Sequence, residues 1–208
     1  MDTLRTSTAA HHEAAENHPF QVALNKGQAP LECYVAYLRE LLHLHRAVEH
    51  HLREQSARIP AFAAVVRNYQ YQVPYLIADL EHFNHDPDAC EPTAATKLAI
   101  DRVNLAATDT PIAVLGMHYV LEGSKNGAKY ISRNLARAYE LQPGPGLCYF
   151  DPYGDQQREY WAQFKADMNA QSFTESETTQ LVEGAVKMFG FIEQISMALS
   201  DQLPAANT

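Results

Sequence analysis

The chain has 208 residues, of which 46% are apolar, and its formal net charge is −9. This length suits one sizeable hydrophobic core and does not demand a second domain. The acidic balance argues against general nucleic-acid binding, because a polyanion needs a concentrated basic patch. Three cysteines without a CxxC pair, no signal peptide and no apolar run of about 18 residues favour a cytoplasmic protein that does not span a membrane.

Helical periodicity dominates the chain, and strand-like alternation is nearly absent. Proline and glycine breaks divide the sequence into segments, and the strongest break covers residues 142–146. The pattern predicts an all-α single domain over residues 1–200 and a polar tail over 201–208. The predicted helices are, in chain order, Thr3–Glu16, Phe20–Asn25, Leu31–Ser56, Phe62–Tyr69, Tyr75–Phe83, Thr93–Ala107, Ile112–Tyr139, Gln156–Asn169 and Thr174–Ser200.

The first predicted helix carries a histidine and a carboxylate on one face. His12 and Glu16 are four residues apart, so the carboxylate can hold one nitrogen of the imidazole. Metal-ligating histidines usually have such an acceptor, which sets the tautomer of the ring. The same spacing also occurs in ordinary salt bridges on helix surfaces. His11 points about 100° away around the helix, so the two histidines do not share one role.

Two glycines interrupt the helix predicted around residues 112–139. Gly123 and Gly127 lie one turn apart on one face, and each costs about 0.5–1 kcal/mol relative to alanine. A helix face without side chains lets a flat group or another helix approach the backbone, and lets the helix bend there. A tight helix crossing is the simpler interpretation when these residues are considered alone.

The same helix carries a basic residue every four positions. This repeat predicts a basic stripe along one side of the helix. The stripe is either a solvated face, a docking strip for an acidic partner or the rim of a pocket for an anionic ligand. Its members are Lys125, Lys129, Arg133 and Arg137.

Taken together, the two helices resemble those of the heme oxygenases. The proximal-helix match consists of Leu4-Arg5, Thr8, His12 and Glu16-Asn17. The distal-helix match is Tyr119–Ser124, and it is similar to the bacterial branch that includes enzymes accompanying bacteriophytochromes. Further matches are Asn25–Gln28, Lys165, Met168-Asn169 and Phe189. The resemblance covers nearly the whole chain, although only the two helix motifs are specific.

The resemblance implies a helical bundle of the heme oxygenase type, with a heme slot between the proximal helix and a kinked distal helix. His12 would bind the heme iron and Glu16 would orient it, while Gly123, Ser124 and Gly127 would form the catalytic distal surface. Heme would be both substrate and cofactor. Its cleavage with O2 and reducing equivalents would give biliverdin, CO and ferrous iron.

The resemblance also assigns residues around the edge of the heme. Arg5 and Lys165 stand where the family places basic residues that hold the propionates, and His118 stands where many members have a tyrosine. Phe189 falls at an aromatic position of the last helix. Departures from the family concern the distal helix: mammalian members have an aspartate at the position of Ser124, and Asn126 stands where leucine is usual. Lys125 and Lys129 also depart from the usual pattern.

Other functions and partners follow from these considerations. A protein that sequesters or senses heme without cleaving it would use the same residues. A di-iron oxygenase on the same fold would need carboxylates and histidines converging on the core; on paper they are Glu40, His43, His82, His85 and Glu122. As a heme oxygenase, the chain would take electrons from a ferredoxin or a flavin reductase. It could pass biliverdin to an acceptor such as a bacteriophytochrome.

Overall fold

The computed structural model describes residues 1–89, 91–201 and 203, and these residues form nine α-helices without any strand. Short 3-10 turns cover Asn68–Gln70, Cys148–Phe150 and Gly154–Gln156. The all-α prediction is confirmed. The helices are α1 (Asp2–Asn17), α2 (Pro19–Asn25), α3 (Leu31–Ser56), α4 (Pro60–Val65), α5 (Val73–His82), α6 (Ala94–Asp109), α7 (Ile112–Ala138), α8 (Gln157–Asn169) and α9 (Glu175–Ser200).

The predicted helix bounds agree with the structure to within two residues except after Pro60. The helix expected over 62–69 is instead the short α4 followed by the first 3-10 turn. Cys90 and most of the expected tail at 201–208 lie outside the described residues. No helix within the described ranges combines the length and the apolarity needed to cross a bilayer.

Local chemistry explains where several helices begin. At the start of α9, the Thr174 hydroxyl accepts a hydrogen bond from the Glu177 amide, and the Glu177 carboxylate accepts one from the Thr174 amide. This reciprocal pair satisfies two amides that would otherwise lack partners. The Thr93 hydroxyl caps α6 in a similar way, and Pro19 occupies the first position of α2.

The long helix α3 lies at the centre of the hydrophobic core. Most of its large apolar side chains are fully or almost fully buried, and they pack against α4, α5, α6, α7 and α9. Burial of each such side chain stabilises the fold by about 1.5–3 kcal/mol. The buried apolar residues of α3 include Tyr34, Tyr37, Leu38, Leu41, Leu42, Leu44, Val48 and Leu52.

Two glycines bring α7 and α9 into backbone contact. A Cβ atom added at Gly116 of α7 would overlap the carbonyl oxygen of Leu181, and one added at Gly184 of α9 would overlap that of Ala113. The helices therefore approach more closely than any larger residue would allow. Since α1 also packs on α9, this crossing sets the position of α7 relative to α1.

Gly184→Ala is expected to lower the free energy of unfolding by about 1–3 kcal/mol, because the new methyl group must displace a backbone carbonyl rather than a flexible side chain. Chemical denaturation measures this change. Gly190→Ala is the matched control, since a Cβ atom at Gly190 in the same helix meets nothing within 4 Å. The control is expected to be neutral or slightly stabilised. Equal stabilities of the two variants would contradict the close crossing.

Candidate functional site

A cavity of about 670 Å³ lies between α1 and α7. This volume falls within the range of about 300–1,000 Å³ that is typical of small-molecule sites. Helices α2, α3, α8 and α9 and the turn at 148–150 complete its wall. The lining residues are Arg5, Thr8, Ala9, His12, Ala15, Glu16, Gln21, Asn25, Tyr37, 119–121, 123–128, Ile131, Tyr149, Phe150, Trp161, Phe189 and Ile192.

The α1 wall of the cavity presents the imidazole of His12. Its Nδ1 atom lies 3.4 Å from Glu16 Oε2, and the side chain is 55% exposed. The ring also meets Phe189 edge to face, with 5.7 Å between the ring centroids. Because Glu16 faces Nδ1, the other ring nitrogen, Nε2, is left for a ligand in the cavity. His11 does not line the cavity.

The α7 wall presents bare backbone. Gly123 and Gly127 both line the cavity within one continuous helix. A Cβ atom added at Gly127 would meet nothing within 4 Å, whereas one at Gly123 would touch the Trp161 ring at 3.3 Å. Gly127 therefore leaves open space beside the helix, whereas Gly123 lies against the Trp161 ring, and neither glycine meets the backbone of another helix. The kink expected at these glycines stays a prediction.

Polar side chains beside the glycines bond to their own helix. The Ser124 hydroxyl donates to the Leu121 carbonyl at 2.7 Å, and the Asn126 amide donates to the Gly123 carbonyl at 2.8 Å. Both interactions satisfy donors that would otherwise face the cavity. Neither side chain brings a group of permanent charge to this wall.

The residues expected at the edge of the heme divide into two groups. Arg5 and Phe189 line the cavity, and Arg5 is exposed, with its guanidinium 3.8 Å from an Asp2 oxygen. Lys165 is exposed outside the lining, and its Nζ atom lies 5.8 Å from the ring centroid of Trp161, which does line the cavity. Lys165 is therefore one side chain removed from the cavity wall.

His118 points into the protein interior, away from the cavity. The side chain is buried, and Nε2 lies 3.0 Å from Gln70 Oε1. Burial lowers the pKa of His118 to about 4, so the ring is neutral and offers no positive charge to a carboxylate. The expected heme contact of His118 therefore lacks a structural basis. The next residue, Tyr119, lines the cavity instead, since one step rotates a helix by about 100°.

The predicted basic stripe was wrong at Lys125, which is buried. This residue is only 2% exposed, and its Nζ atom lies 3.3 Å from the Tyr149 carbonyl oxygen and 3.3 Å from the centroid of the Tyr149 ring. The stripe therefore begins one turn later, at Lys129, which is partly exposed and forms an ion pair with Asp155 at 2.8 Å. Arg133 and Arg137 remain exposed along it.

A buried polar cluster lies behind the cavity wall. The Tyr149 hydroxyl is 3.2 Å from Nε2 of His45, whose Nδ1 is 3.4 Å from Glu49. Burial lowers the pKa of His45, while burial raises that of Glu122 to about 7. The Tyr153 hydroxyl donates to Glu122 Oε2 at 2.9 Å. The interior beside the cavity therefore contains titratable groups that the sequence pattern did not reveal.

The di-iron alternative finds no support in the described part of the chain. Glu40 accepts hydrogen bonds from Thr93, and Glu122 accepts one from Tyr153, so these two carboxylates serve different local structures. The one group of described residues with metal-ligand spacing is His50, His51 and Glu54 on α3, which does not include the residues proposed for two irons.

Several aromatic residues of the cavity wall were not predicted as site residues, among them Tyr37, Tyr149 and Trp161. Tyr37 lies within the predicted helix Leu31–Ser56, and Tyr149 follows the break at 142–146, outside the predicted helices. Trp161 stacks on Phe164 with 5.5 Å between ring centroids, and it also contacts Tyr119. The spacing of three between Trp161 and Phe164 predicts a buried helix face but not a cavity wall.

Comparison with known proteins agrees with this architecture. The family model described as heme oxygenase matches residues 1–198. Heme oxygenase 2 of Synechocystis sp. is 23% identical over 211 residues, covering 98% of this chain and 84% of the relative. Heme oxygenase 1 of Gallus gallus is 25% identical over 204 residues, covering 95% of this chain and 69% of the relative.

Solved structures share the fold. The crystal structure of heme oxygenase-2 from Synechocystis sp. in complex with heme and NO has a TM-score of 0.90 at 22% identity, covering 99% of this chain and 87% of that one. The structure of heme oxygenase from Leptospira interrogans has a TM-score of 0.85 at 20% identity, covering 94% of this chain and 97% of that one. With the match of the family model over almost the whole sequence, these findings show that the chain belongs to the heme oxygenases, enzymes that degrade heme to biliverdin with heme as both substrate and prosthetic group.

Proposed function

We propose that the chain cleaves heme to biliverdin, CO and ferrous iron in the cavity between α1 and α7. The observation that carries this assignment is that His12 and the glycine pair, Gly123 and Gly127, line one cavity although they are far apart in the sequence. An imidazole on one wall and bare helix backbone on the other suit a flat, largely apolar plate with iron at its centre.

The residues of the α1 wall fit an axial ligand for heme iron. Glu16 faces Nδ1 of His12 and favours the tautomer in which Nε2 carries the lone pair that binds iron. Phe189 packs against the ring and limits its rotation. Bound heme supplies the iron that activates O2 and the porphyrin ring that is oxidised.

The residues of the α7 wall would position the heme plate and limit the space beside it. Open space beside Gly127 allows the porphyrin face to approach the helix backbone, while Trp161 closes the wall at Gly123. Arg5 at the cavity and Lys165 beyond Trp161 are the cations that we assign to the propionates, which leave the apolar plate at its edge. These contacts would fix the rotation of the plate and therefore which ring edge reacts.

A single-turnover experiment separates this function from heme sequestration or sensing. The protein is loaded with one equivalent of heme, supplied with a reductant in air, and its products are analysed by chromatography. We expect biliverdin together with CO and iron. Recovery of intact heme from a protein that binds it tightly would support the non-degrading alternative.

Three cations of α7 that are at least partly exposed are the proposed docking strip for a ferredoxin or a flavin reductase. Lys129, Arg133 and Arg137 follow one another at four-residue spacing near the cavity. Complementary charge accelerates such encounters, and salt weakens the effect. Biliverdin would then pass to an acceptor such as a bacteriophytochrome. We place the reaction in the cytoplasm.

Charge reversal of the strip tests this docking surface. The double variant Arg133→Glu and Arg137→Glu is expected to lower the reductase-dependent rate about tenfold or more at low ionic strength, with a smaller effect at high salt. Lys97→Glu with Arg102→Glu reverses two exposed charges on α6 and is the control. An unchanged rate and salt dependence in the strip variant would exclude this surface.

A further inference from the structure

Lys125 is the one lysine among the described residues that line the cavity, and it is almost completely buried. Its Nζ atom lies over the Tyr149 ring and donates a hydrogen bond to the Tyr149 carbonyl oxygen at 3.3 Å. An ammonium group has three N–H donors, so this hydrogen bond leaves others available. Lys125 therefore lines the cavity while its ammonium group lies against Tyr149, another lining residue.

Other hydrogen-bond donors on the same wall are already engaged. The Ser124 hydroxyl and the Asn126 amide both donate to carbonyl groups of their own helix. The hydroxyl of Tyr149 lies beside His45, and burial raises the pKa of Tyr37 to about 12. None of these groups releases a proton readily near neutral pH.

The charge of Lys125 depends on groups from several elements. Burial lowers its pKa to about 7, against the opposing attraction of Glu122 on its own helix, Glu49 on α3 and Asp79 on α5. His45 on α3 also faces this region. Burial raises the pKa of Glu122 to about 7, and its Oε1 atom is buried without a hydrogen-bond partner. An orphaned oxygen of this kind marks a place for a bridging water.

We propose that Lys125 is a proton donor for the oxygen chemistry of the cavity and that Glu122 returns the proton to it. This inference rests on the proposed function, since reduction of O2 by the supplied electrons consumes protons. In the step, one Nζ–H bond breaks, the proton passes to an oxygen acceptor in the cavity, and Nζ keeps the electron pair. A proton from the Glu122 carboxyl group, carried by internal water, restores the ammonium. The Tyr153 hydroxyl stabilises the resulting carboxylate.

The proposal fixes the sign of a pH dependence. Lys125 donates a proton only in its ammonium form, so the rate of heme degradation should fall as pH rises through the pKa of this group. Glu122→Gln removes a negative charge that favours the ammonium, which moves this decline to lower pH. A residue with a purely structural role would not move the pH profile in this way.

Lys125→Met tests the proposal, with Lys187→Met as the control, because Lys187 on α9 is exposed and does not line the cavity. Methionine has a similar length, but it leaves the buried Glu122 without a nearby cation, which lowers stability. Thermal unfolding of the heme-free variant therefore checks that it still folds. We expect the Lys125 variant to bind heme within about twofold of the wild type, because the iron ligand is unchanged. Its single-turnover rate should be about 10²-fold lower, with no alkaline decline between about pH 6 and pH 9.

The experiment distinguishes failure of the Lys125 proposal from failure of the proposed function. Lys187→Met removes an exposed ammonium outside the cavity and should keep both the rate and the pH profile. If Lys125→Met degrades heme at the wild-type rate with an unchanged profile, Lys125 is not the donor, whereas the proposed function stands. If wild-type protein loaded with heme gives no biliverdin, the proposed function falls, and the role of Lys125 falls with it.

Discussion

His12→Ala is expected to remove axial imidazole ligation and to weaken heme binding at least about 100-fold, since even loss of a group that supports a ligand costs about 10–100-fold. Titration of the protein with heme, followed by the Soret absorption and by electron paramagnetic resonance, measures the affinity and the ligation. Added imidazole should restore the spectrum of the variant, because the free ligand can enter the space that the side chain has left.

The neighbouring histidine supplies a control for this prediction. His11→Ala removes an exposed imidazole that points about 100° away and does not line the cavity, so affinity and spectrum should be unchanged. Glu16→Gln should lie between the two, with a loss of about 10–100-fold. Wild-type affinity and unaltered imidazole ligation in His12→Ala would exclude His12 as the iron ligand.

Gly127→Leu is expected to abolish heme binding while leaving the protein folded. The new side chain would extend from α7 into the space beside Gly127, where a Cβ atom meets nothing within 4 Å. Leucine also favours the helix by nearly 1 kcal/mol over glycine, so stability should not fall. The same heme titration measures the lost affinity, and thermal unfolding of the heme-free protein confirms the fold.

Gly190→Leu is the matched control for Gly127→Leu. Gly190 is also helical, a Cβ atom there also meets nothing within 4 Å, and it does not line the cavity. This variant should bind heme as the wild type does. Tight binding by Gly127→Leu would mean that the plate does not press against this part of α7.

The helices were predictable because their ends carry local signals. Leu31–Ser56 follows Pro30 and shows a clear apolar stripe, and its predicted bounds agree with the structure. The segment after Pro60 was less predictable, since a few apolar residues are compatible with one helix or with a short helix and a 3-10 turn. The length of such short elements depends on tertiary packing.

The functional site was predictable where a residue type and its spacing carry the chemistry. His12, Glu16 and the glycine pair needed only helical periodicity and a family pattern, and all four residues line one cavity. Lys125 was not predictable in the same way. The repeat of basic residues suggested exposure, but the environment of this side chain depends on Tyr149, which lies in a distant turn.

His118 and Tyr119 show how precisely a sequence pattern can assign neighbouring helix positions to a site. Adjacent positions on a helix differ by about 100°, so a shift of one residue exchanges a buried contact with Gln70 for a place on the cavity wall. The tight crossing first suggested by Gly123 and Gly127 exists elsewhere in α7, at Gly116. Sequence spacing alone does not say which glycines face a helix and which face a ligand.

A crystal structure of the heme complex tests the central claim most directly. We predict that Nε2 of His12 binds the iron, that one porphyrin face rests on α1, and that the other faces the backbone at Gly123 and Gly127. Iron bound by another side chain, or heme held outside the space between α1 and α7, would contradict the proposed site.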